Sequence, residues 1–257
     1  METTLITGAS SGIGLELAKL FAADKSNLVL VARRTEKLTA LAEQLQRQHG
    51  ITTQVLTKDL ARPEAPREVF EELNHKNVVI DVLVNNAGFG FLGSIADLDL
   101  QRQLDMIQVN ITALVHLTRL FLPGMIERNR GGILNVGSTA AFQPGPNMAV
   151  YYASKAFVLH FTEGLAEELK GKDIRVSCLS PGPTVTEFAA HAKMESAPLF
   201  RLGSMSGEAV ARIGYRGFRK GKVVVIPGFK NKLGTFGVRL APRFLVRKIT
   251  KGLQGLK

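Results

Sequence analysis

The 257-residue chain has no tryptophan, one cysteine and three tyrosines, so most of its aromatic side chains are its 14 phenylalanines. Cys178 cannot form a disulfide within the chain, and its place in an apolar, strand-like run predicts a small buried side chain rather than a reactive thiol. The five histidines are scattered with no ligand spacing, so we expect no metal. These features argue against a fold held together by disulfides or zinc.

The sequence also lacks a recognisable leader and a long unbroken hydrophobic run. The first apolar segment begins almost at Met1, without the basic residues and cleavage site of a secretory signal. The longest uncharged stretch, between Arg130 and Lys155, contains two prolines and four glycines, which is untypical of a membrane span. We therefore expect a cytoplasmic protein.

Acidic residues are scarce near the C-terminus. From Arg201 onward there are fourteen Lys and Arg residues and one acidic residue, Glu208, whereas residues 1–200 hold 19 basic and 21 acidic residues. Residues 229–257 are expected to form a basic helical extension, and within it residues 230–249 mix basic and apolar residues at roughly helical spacing. One interpretation is weak contact with an anionic membrane or an acidic partner, which would make the protein membrane-peripheral.

The other interpretation of this extension is a helix that packs on the body of the protein or on a second subunit, with its basic rim in solvent. No recognition motif accompanies the charge, so we expect no nucleic-acid binding.

Strand-like and helix-like segments alternate along the chain, which indicates a parallel sheet with crossover helices. The predicted strands are 3–7, 28–32, 51–57, 78–84, 132–138, 173–179 and 222–226. The predicted helices are 13–23, 36–49, 63–74, 100–127, 149–170 and 206–219, and Pro123 is expected to kink or end the helix that contains it. The irregular stretch 183–205 is expected to form a lid over the site.

A glycine-rich segment joins the first predicted strand to the first predicted helix. Gly8, Gly12 and Gly14 are spaced so that the backbone can turn tightly and approach a pyrophosphate. The amides that begin the helix then supply donors and the positive end of the helix dipole. A cluster of glycines can be only a turn, but between a strand and a helix it favours a nucleotide-binding loop.

Tyr151 and Lys155 are four residues apart, so a helix places both side chains on one face. A lysine ammonium near a phenol favours the phenolate, which predicts a tyrosine pKa shifted down toward neutrality. Ser138 follows the apolar run 133–136, where the end of a strand would present its hydroxyl. This spacing also occurs by chance in long helices, so its weight comes from the other motifs.

With the glycine loop, Asn85–Gly88, Ser138 and the Tyr151–Lys155 pair in this order, the chain resembles the short-chain dehydrogenase/reductase family. The resemblance covers about residues 3–226 and rests on at least five motifs. It implies an α/β protein with one doubly wound Rossmann-type domain over residues 1–257, a seven-stranded, mainly parallel sheet and helices on both faces.

The resemblance also implies a catalytic set and a dinucleotide site. The catalytic residues would be Asn110, Ser138, Tyr151 and Lys155. The cofactor-binding residues would be Gly8, Ser10, Ser11, Gly12, Ile13, Gly14, Arg33, Arg34, Asp59, Leu60, Asn86, Ala87, Gly88, Tyr151, Lys155, Pro181, Gly182, Thr184 and Thr186.

Each matched residue has an implied role. Tyr151 would exchange the proton of the substrate oxygen, and Lys155 would lower the pKa of Tyr151 and hold the nicotinamide ribose. Ser138 would position the substrate oxygen, and Asn110 would hold a water in the proton relay. Tyr152 is a rival phenol, but it lies only three positions before Lys155 and so breaks the spacing of the motif. We expect it to pack or line the pocket.

The remaining implied contacts concern the cofactor. Asp59 would bind the adenine amino group, and the segment Pro181–Thr186 would hold the nicotinamide amide. After the second strand, an acidic residue would bind the ribose 2′-hydroxyl of NAD, but Arg33 and Arg34 stand there instead. Guanidinium groups suit a phosphate dianion, which predicts NADP(H), with Arg33 the stronger candidate and Ser10 a second phosphate contact.

The substrate pocket is expected to be apolar, which suits a small ketone or aldehyde, a steroid-like ring or a fatty 3-ketoacyl chain. The segments expected to border the site contain six large apolar side chains. These either line the pocket or belong to ordinary core or lid packing, and they are Phe89, Phe91, Phe142, Met148, Phe188 and Met194.

The leading hypothesis is an NADPH-dependent carbonyl reductase, which could also oxidise the alcohol. The alternatives are a 3-ketoacyl-thioester reductase of fatty-acid type and a non-catalytic NADP-binding regulator. The resemblance suggests a homodimer or homotetramer, with the helices 100–127 and 149–170 at the interface.

Overall fold

The computed structural model describes residues 1–188 and 203–254. The strands that it contains are β1 (Thr3–Thr7), β2 (Asn27–Ala32), β3 (Thr53–Thr57), β4 (Val82–Asn85), β5 (Gly131–Val136), β6 (Ile174–Leu179), β7 (Thr184–Val185), β8 (Met205–Ser206) and β9 (Val224–Val225). Its α-helices are α1 (Gly12–Ala23), α2 (Thr35–His49), α3 (Ala65–His75), α4 (Leu100–Ile107), α5 (Ala113–Glu127), α6 (Ala149–Glu168), α7 (Gly207–Arg219), α8 (Phe229–Leu240) and α9 (Arg243–Leu253).

Seven strands form one sheet in the order β3-β2-β1-β4-β5-β6-β9, and every neighbouring pair is parallel. The predicted seven-stranded, doubly wound fold is therefore confirmed, and the described sheet is wholly parallel. The strand order reverses between β1 and β4, where the loops leaving two adjacent strands turn in opposite directions and open a crevice. That crevice, at the carboxyl ends of the strands, is where such folds bind ligands.

Helices cover both faces of the sheet, which explains why the central strands are continuously apolar. On one face, α1, α2 and α7 pack through side chains that include Phe21, Leu45 and Phe218. On the other face, α3, α5 and α6 pack through side chains that include Phe121 and Leu165. These two cores fix the helices to the sheet on both sides of the crevice.

The helical segment 100–127 contains a π-helical turn, Gln108–Thr112, between α4 and α5. Pro123 does not end the helix, which continues to Glu127. Pro123 has no N–H to donate to the carbonyl of Arg119, so the helix lacks that one hydrogen bond. Leu100–Glu127 is also long and apolar enough to cross a membrane by length and composition alone, but Leu117, Phe121 and Met125 of this segment pack in the core.

The fourth and the last predicted strands are the ones shortened most. The fourth begins at Val82 rather than residue 78, because pairing with β1 starts where Thr4 lies opposite Val82. Just before it, the Asp81 carboxylate accepts a hydrogen bond from the Thr3 amide at 2.9 Å. The last predicted strand, 222–226, is reduced to Val224–Val225.

The predicted lid is described only at its ends, where β7 pairs with β8 in parallel. Residues 189–202, including Met194, lie outside the described residues, so the lid stays a prediction. The described part of the C-terminal extension, residues 229–254, is helical as expected and contains α8 and α9. Val246, Thr250 and Gln254 are buried and attach α9 to the body of the protein.

Candidate active site

The loop after β1 forms the floor of the crevice. Gly8 and Gly12 have φ angles of +66° and +56°, a left-handed conformation that side chains with a Cβ rarely adopt. Ser11 is the residue just before α1, whose first turn contains Ile13, and the Ser11 side chain makes no capping hydrogen bond. The amides of that turn therefore offer donors and the positive dipole end to an anion.

Asn86 braces this loop from the neighbouring strand end. Its side-chain amide donates to the carbonyl oxygens of Thr7 at 2.8 Å and Gly8 at 3.2 Å. The Thr7 hydroxyl accepts from the backbone amides of Asn86 and Ala87, both at 3.0 Å. A Cβ on Gly8 would lie 2.7 Å from the Asn86 amide nitrogen, so glycine is required here by close packing as well as by its φ angle.

The three reactive side chains of the predicted catalytic set meet at the carboxyl end of β5. Ser138 caps the short 3₁₀ helix Thr139–Phe142, and its hydroxyl accepts from the amide of Ala140 at 3.1 Å. Tyr151 and Lys155 lie on α6, with the Lys155 ammonium 5.9 Å from the centre of the Tyr151 ring. Lys155 donates to the carbonyl oxygen of Val136 at 2.9 Å, which fixes it beside β5.

The pKa of Tyr151 is shifted opposite to the direction expected from the sequence. Burial raises the pKa of its hydroxyl above the ordinary value, contact with Ser138 lowers it, and Tyr152 raises it slightly. Burial also lowers the pKa of Lys155 to about 8. Near neutral pH Tyr151 is therefore a protonated phenol, which can donate a proton, and most of Lys155 is charged.

Asn110 lies in the π-helical turn and connects the loop after β4 to α6. Its side-chain oxygen accepts from the Phe89 amide at 3.1 Å, and its nitrogen donates to the Phe89 carbonyl and to Ser154, each at 3.0 Å. A Cβ on Gly88 would lie 3.0 Å from the Asn110 oxygen and 3.3 Å from the Lys155 nitrogen. Gly88 thus leaves room for Asn110 and Lys155 to approach each other.

A basic cluster lies beside the glycine loop. The Arg34 guanidinium donates to the Ser10 hydroxyl at 3.1 Å and 3.3 Å, and it pairs with the carboxylate of Glu187 at 2.8 Å. Lys37 pairs with the same carboxylate at 3.0 Å. The structure therefore brings Arg34 to Ser10, whereas Arg33, the stronger candidate from the sequence, is exposed.

Glu187 is a protein anion held in this cluster. Hydrogen bonds from Lys37 and Arg34, with a smaller contribution from Ser11, lower its pKa to about 2. A carboxylate bound by two cations shows that the cluster suits an anion, such as a phosphate group. The residues present thus fit the phosphorylated end of a dinucleotide.

The other predicted cofactor contacts also lie on the carboxyl edge of the sheet. Asp59 follows β3 next to buried Leu60, and its carboxylate accepts from the amide of Ala61 at 3.0 Å. The loop after β6 contains Pro181, and in it the Thr184 hydroxyl donates to the carbonyl of Gly182 at 2.9 Å. Thr186 approaches the glycine loop, since a Cβ on Gly12 would lie 3.3 Å from its methyl group.

Apolar side chains surround Tyr151. The ring of Phe188 lies 5.4 Å from that of Tyr151, and Phe89 and Phe91 pack on each other at the same separation. Met148 belongs to this cluster, whereas Phe142 packs in a different one, with Leu114 and Cys178. Tyr152 is also in the cluster and is buried against Gly145, which agrees with a packing role.

Four residues near the site were not identified from the sequence. Ser154 bonds Asn110, and Lys37 and Glu187 extend the basic cluster. Gly90 lies against Tyr151, because a Cβ there would be 2.7 Å from the ring. Lys37 lies in the first turn of the predicted helix 36–49, three residues after Arg34, which was a usable signal. The position of Glu187 depends on the long-range fold.

Comparisons with known proteins agree with this geometry. The family model described as short chain dehydrogenase matches residues 2–196. Sulfoacetaldehyde reductase 2 of Chromohalobacter salexigens is 42% identical over 189 residues, which cover 73% of this chain and 74% of that protein.

A second relative is the very-long-chain 3-oxoacyl-CoA reductase of Anas platyrhynchos. It is 36% identical over 195 residues, and the match spans 74% of this chain but only 62% of the length of that reductase. Among solved structures, a short-chain dehydrogenase from Sphingobium yanoikuyae in complex with NADPH has a TM-score of 0.84 and 33% sequence identity, and the match covers 93% of this chain and 94% of that one.

Proposed function

The chain belongs to the short-chain dehydrogenase family, and we propose that it is an NADPH-dependent reductase of small apolar ketones and aldehydes. It is an NAD(P)-dependent oxidoreductase that binds NADP(H). The observation that carries the proposed substrate class is the environment of Tyr151, a buried phenol beside Ser138 that is surrounded by aromatic and aliphatic side chains.

The cofactor, when bound, supplies the hydride that the carbonyl carbon receives. The glycine loop and the first turn of α1 would hold its pyrophosphate, and Arg34, Ser10 and Lys37 would hold the 2′-phosphate. Lys155 and the loop Pro181–Thr186 would hold the nicotinamide half. The solved relative with NADPH supports this choice of dinucleotide.

The chain's own residues would handle the proton. Tyr151 would donate its hydroxyl proton to the oxygen of the carbonyl as the hydride arrives, and Ser138 would orient that oxygen. The charged Lys155 would stabilise the phenolate left on Tyr151. Asn110, bonded to Phe89 and Ser154, would keep the loop after β4 and α6 at the correct separation.

The apolar surroundings of Tyr151 support a substrate that carries little charge next to its carbonyl. Phe188, Phe89, Phe91 and Met148 would exclude water and contact the carbon skeleton. Exposed apolar side chains on the long helices support a homodimer or homotetramer. Leu104 of α4 and Phe157 of α6 are 47% and 38% exposed, on the helices expected to form the interface.

A 3-ketoacyl-thioester reductase is the second candidate. It is favoured by the similarity to the very-long-chain 3-oxoacyl-CoA reductase and by the basic C-terminal extension, which could contact the phosphates of a thioester carrier. Both candidates carry out the same reaction at the carbonyl, and they differ in the rest of the substrate molecule.

Substrate assays with purified protein separate these possibilities. The loss of NADPH absorbance is followed with small ketones, aldehydes, steroid ketones and 3-ketoacyl thioesters, and each reaction is repeated with NADH. We expect turnover of apolar carbonyl compounds with NADPH and much slower turnover with NADH. Faster turnover of the thioesters would favour the second candidate, and no turnover of any carbonyl substrate would contradict the proposed function.

A further inference from the structure

Helix α8 exposes a row of large apolar side chains. Phe229, Leu233, Phe236 and Leu240 are 79%, 61%, 58% and 74% exposed. Their spacing of four, three and four residues places them in one narrow stripe along the helix, since each residue advances by about 100°. A single exposed apolar side chain is ordinary on a protein surface, but four large apolar side chains in one stripe indicate a binding surface.

The opposite face of α8 packs on the body of the protein. Thr235 is buried, and Asn231 and Val238 are half-buried, about half a turn around the helix from the stripe. The Asn231 side chain lies against Gly182, in the loop after β6, and bonds the carbonyl of Pro227 at 2.7 Å. The helix is therefore attached by one face and directs its apolar stripe away from the protein.

Positive charge flanks the stripe on both sides. Helical spacing places Lys230 on one side of it and Lys232 and Arg239 on the other. The next helix adds an exposed phenylalanine, Phe244, and four more cations. Residues 229–254 contain no acidic residue, and their basic residues are Lys230, Lys232, Arg239, Arg243, Arg247, Lys248 and Lys251.

We propose that α8 and the first turn of α9 dock on an anionic lipid membrane, with the stripe in the interfacial region and the cations at the headgroups. An apolar stripe between rows of Lys and Arg is the arrangement that such a surface binds best. Pairing with the same surface of a second copy would bring together two segments that carry only positive charge, and their repulsion opposes it. This inference does not depend on the reaction proposed above.

Docking in this orientation places the site close to the lipid. Helix α8 separates the membrane-facing stripe from the Gly182 loop, so the crevice lies one helix diameter from the surface. An apolar carbonyl compound dissolved in the bilayer would then have a short path to Tyr151.

The test is co-sedimentation of the full-length protein with phosphatidylcholine vesicles, with and without phosphatidylglycerol, at low and high NaCl. Two variants remove the two features separately: Phe229→Ser with Leu233→Ser, Phe236→Ser and Leu240→Ser, and Lys230→Glu with Lys232→Glu and Arg239→Glu. Matched controls change exposed residues elsewhere: Ile95→Ser for the apolar change, and Arg47→Glu with Lys170→Glu for the charge change.

We expect the wild-type protein and both controls to bind vesicles that contain phosphatidylglycerol. Each α8 variant should bind about tenfold less or weaker still, and high NaCl should weaken binding. Reduction of a small ketone in solution, which involves no contact with the C-terminal extension, should be unchanged in the α8 variants and shows that they fold. Absence of wild-type binding, equal binding to neutral vesicles, or unchanged binding by either α8 variant would overturn the proposal. A fall in oligomeric mass in the serine variant without vesicle binding by the wild type would assign the surface to a second copy instead.

Discussion

The guanidinium of Arg34 lies 2.8 Å from the carboxylate of Glu187, at the position where a cofactor phosphate is expected. The same carboxylate also pairs with Lys37 at 3.0 Å. The protein thus places an anion of its own in its basic cluster. Because the carboxylate and a 2′-phosphate require the same cations, the two should compete.

Replacing Glu187 with Gln removes this competitor and should tighten NADPH binding. An exposed ion pair is worth up to about 1 kcal/mol, so we expect the Kd of NADPH to fall about fivefold. The Kd of NADH, which has no 2′-phosphate, should change much less. Fluorescence titration of both cofactors measures the difference, and Glu163→Gln on α6 is the control. Equal effects on both cofactors would refute competition at the phosphate.

Replacing Arg34 with Ala should weaken NADPH binding more than the same change at Arg33. Arg34 bonds Ser10 and lies in the anion-binding cluster, whereas Arg33 is exposed. Loss of one charge-assisted contact to phosphate predicts an increase in the KM of NADPH of about tenfold or more. Steady-state kinetics with varied NADPH compare the two variants. A larger effect at Arg33 would show that the cluster rearranges around the cofactor.

Replacing Gly90 with Ala should impair catalysis without unfolding the protein. The added methyl group would lie 2.7 Å from the Tyr151 ring, so the phenol must move. A small misplacement of a catalytic group can cost about 100-fold in rate, and we expect kcat to fall by that order. Gly164→Ala is a suitable control, because a Cβ there meets no atom within 4 Å. A normal kcat in Gly90→Ala would show that Tyr151 can shift freely.

The reductase should lose activity as the pH rises through about 8. Burial lowers the pKa of Lys155 to about 8, so the ammonium is present below that pH and is lost above it. The kcat/KM for NADPH reports ionisations of the free enzyme and should fall on the alkaline side. In Lys155→Arg, which keeps its charge, the alkaline fall should disappear even if the rate is low. An identical alkaline fall in that variant would assign the ionisation to another group.

Much of the fold follows from local sequence patterns. The strands β1, β2 and β6 and the helices α1, α2 and α7 lie within one residue of their predicted bounds at each end, because apolar runs and glycine turns mark them. The bounds of other strands were harder to predict, including those of the central strand β4. The start of β4 depends on where its partner β1 begins, which no local pattern encodes.

The residues of the site could also be predicted from sequence motifs, but the pKa of Tyr151 could not. Tyr151, Lys155 and Ser138 come together as expected, yet the pKa of Tyr151 is raised because burial outweighs the groups that favour the phenolate. Burial, like the contact of Glu187 with Arg34 across 153 residues of sequence, is a property of the folded chain.

The central claim is that Tyr151 donates the proton in carbonyl reduction, and Tyr151→Phe tests it most directly. Single-turnover reduction with bound NADPH should slow by about 1000-fold, within the range that general acid catalysis contributes. The Kd of NADPH should stay close to that of the wild type, which shows that the site is intact, and Tyr152→Phe should remain active. A Tyr151→Phe variant that keeps most of its single-turnover rate would contradict the account.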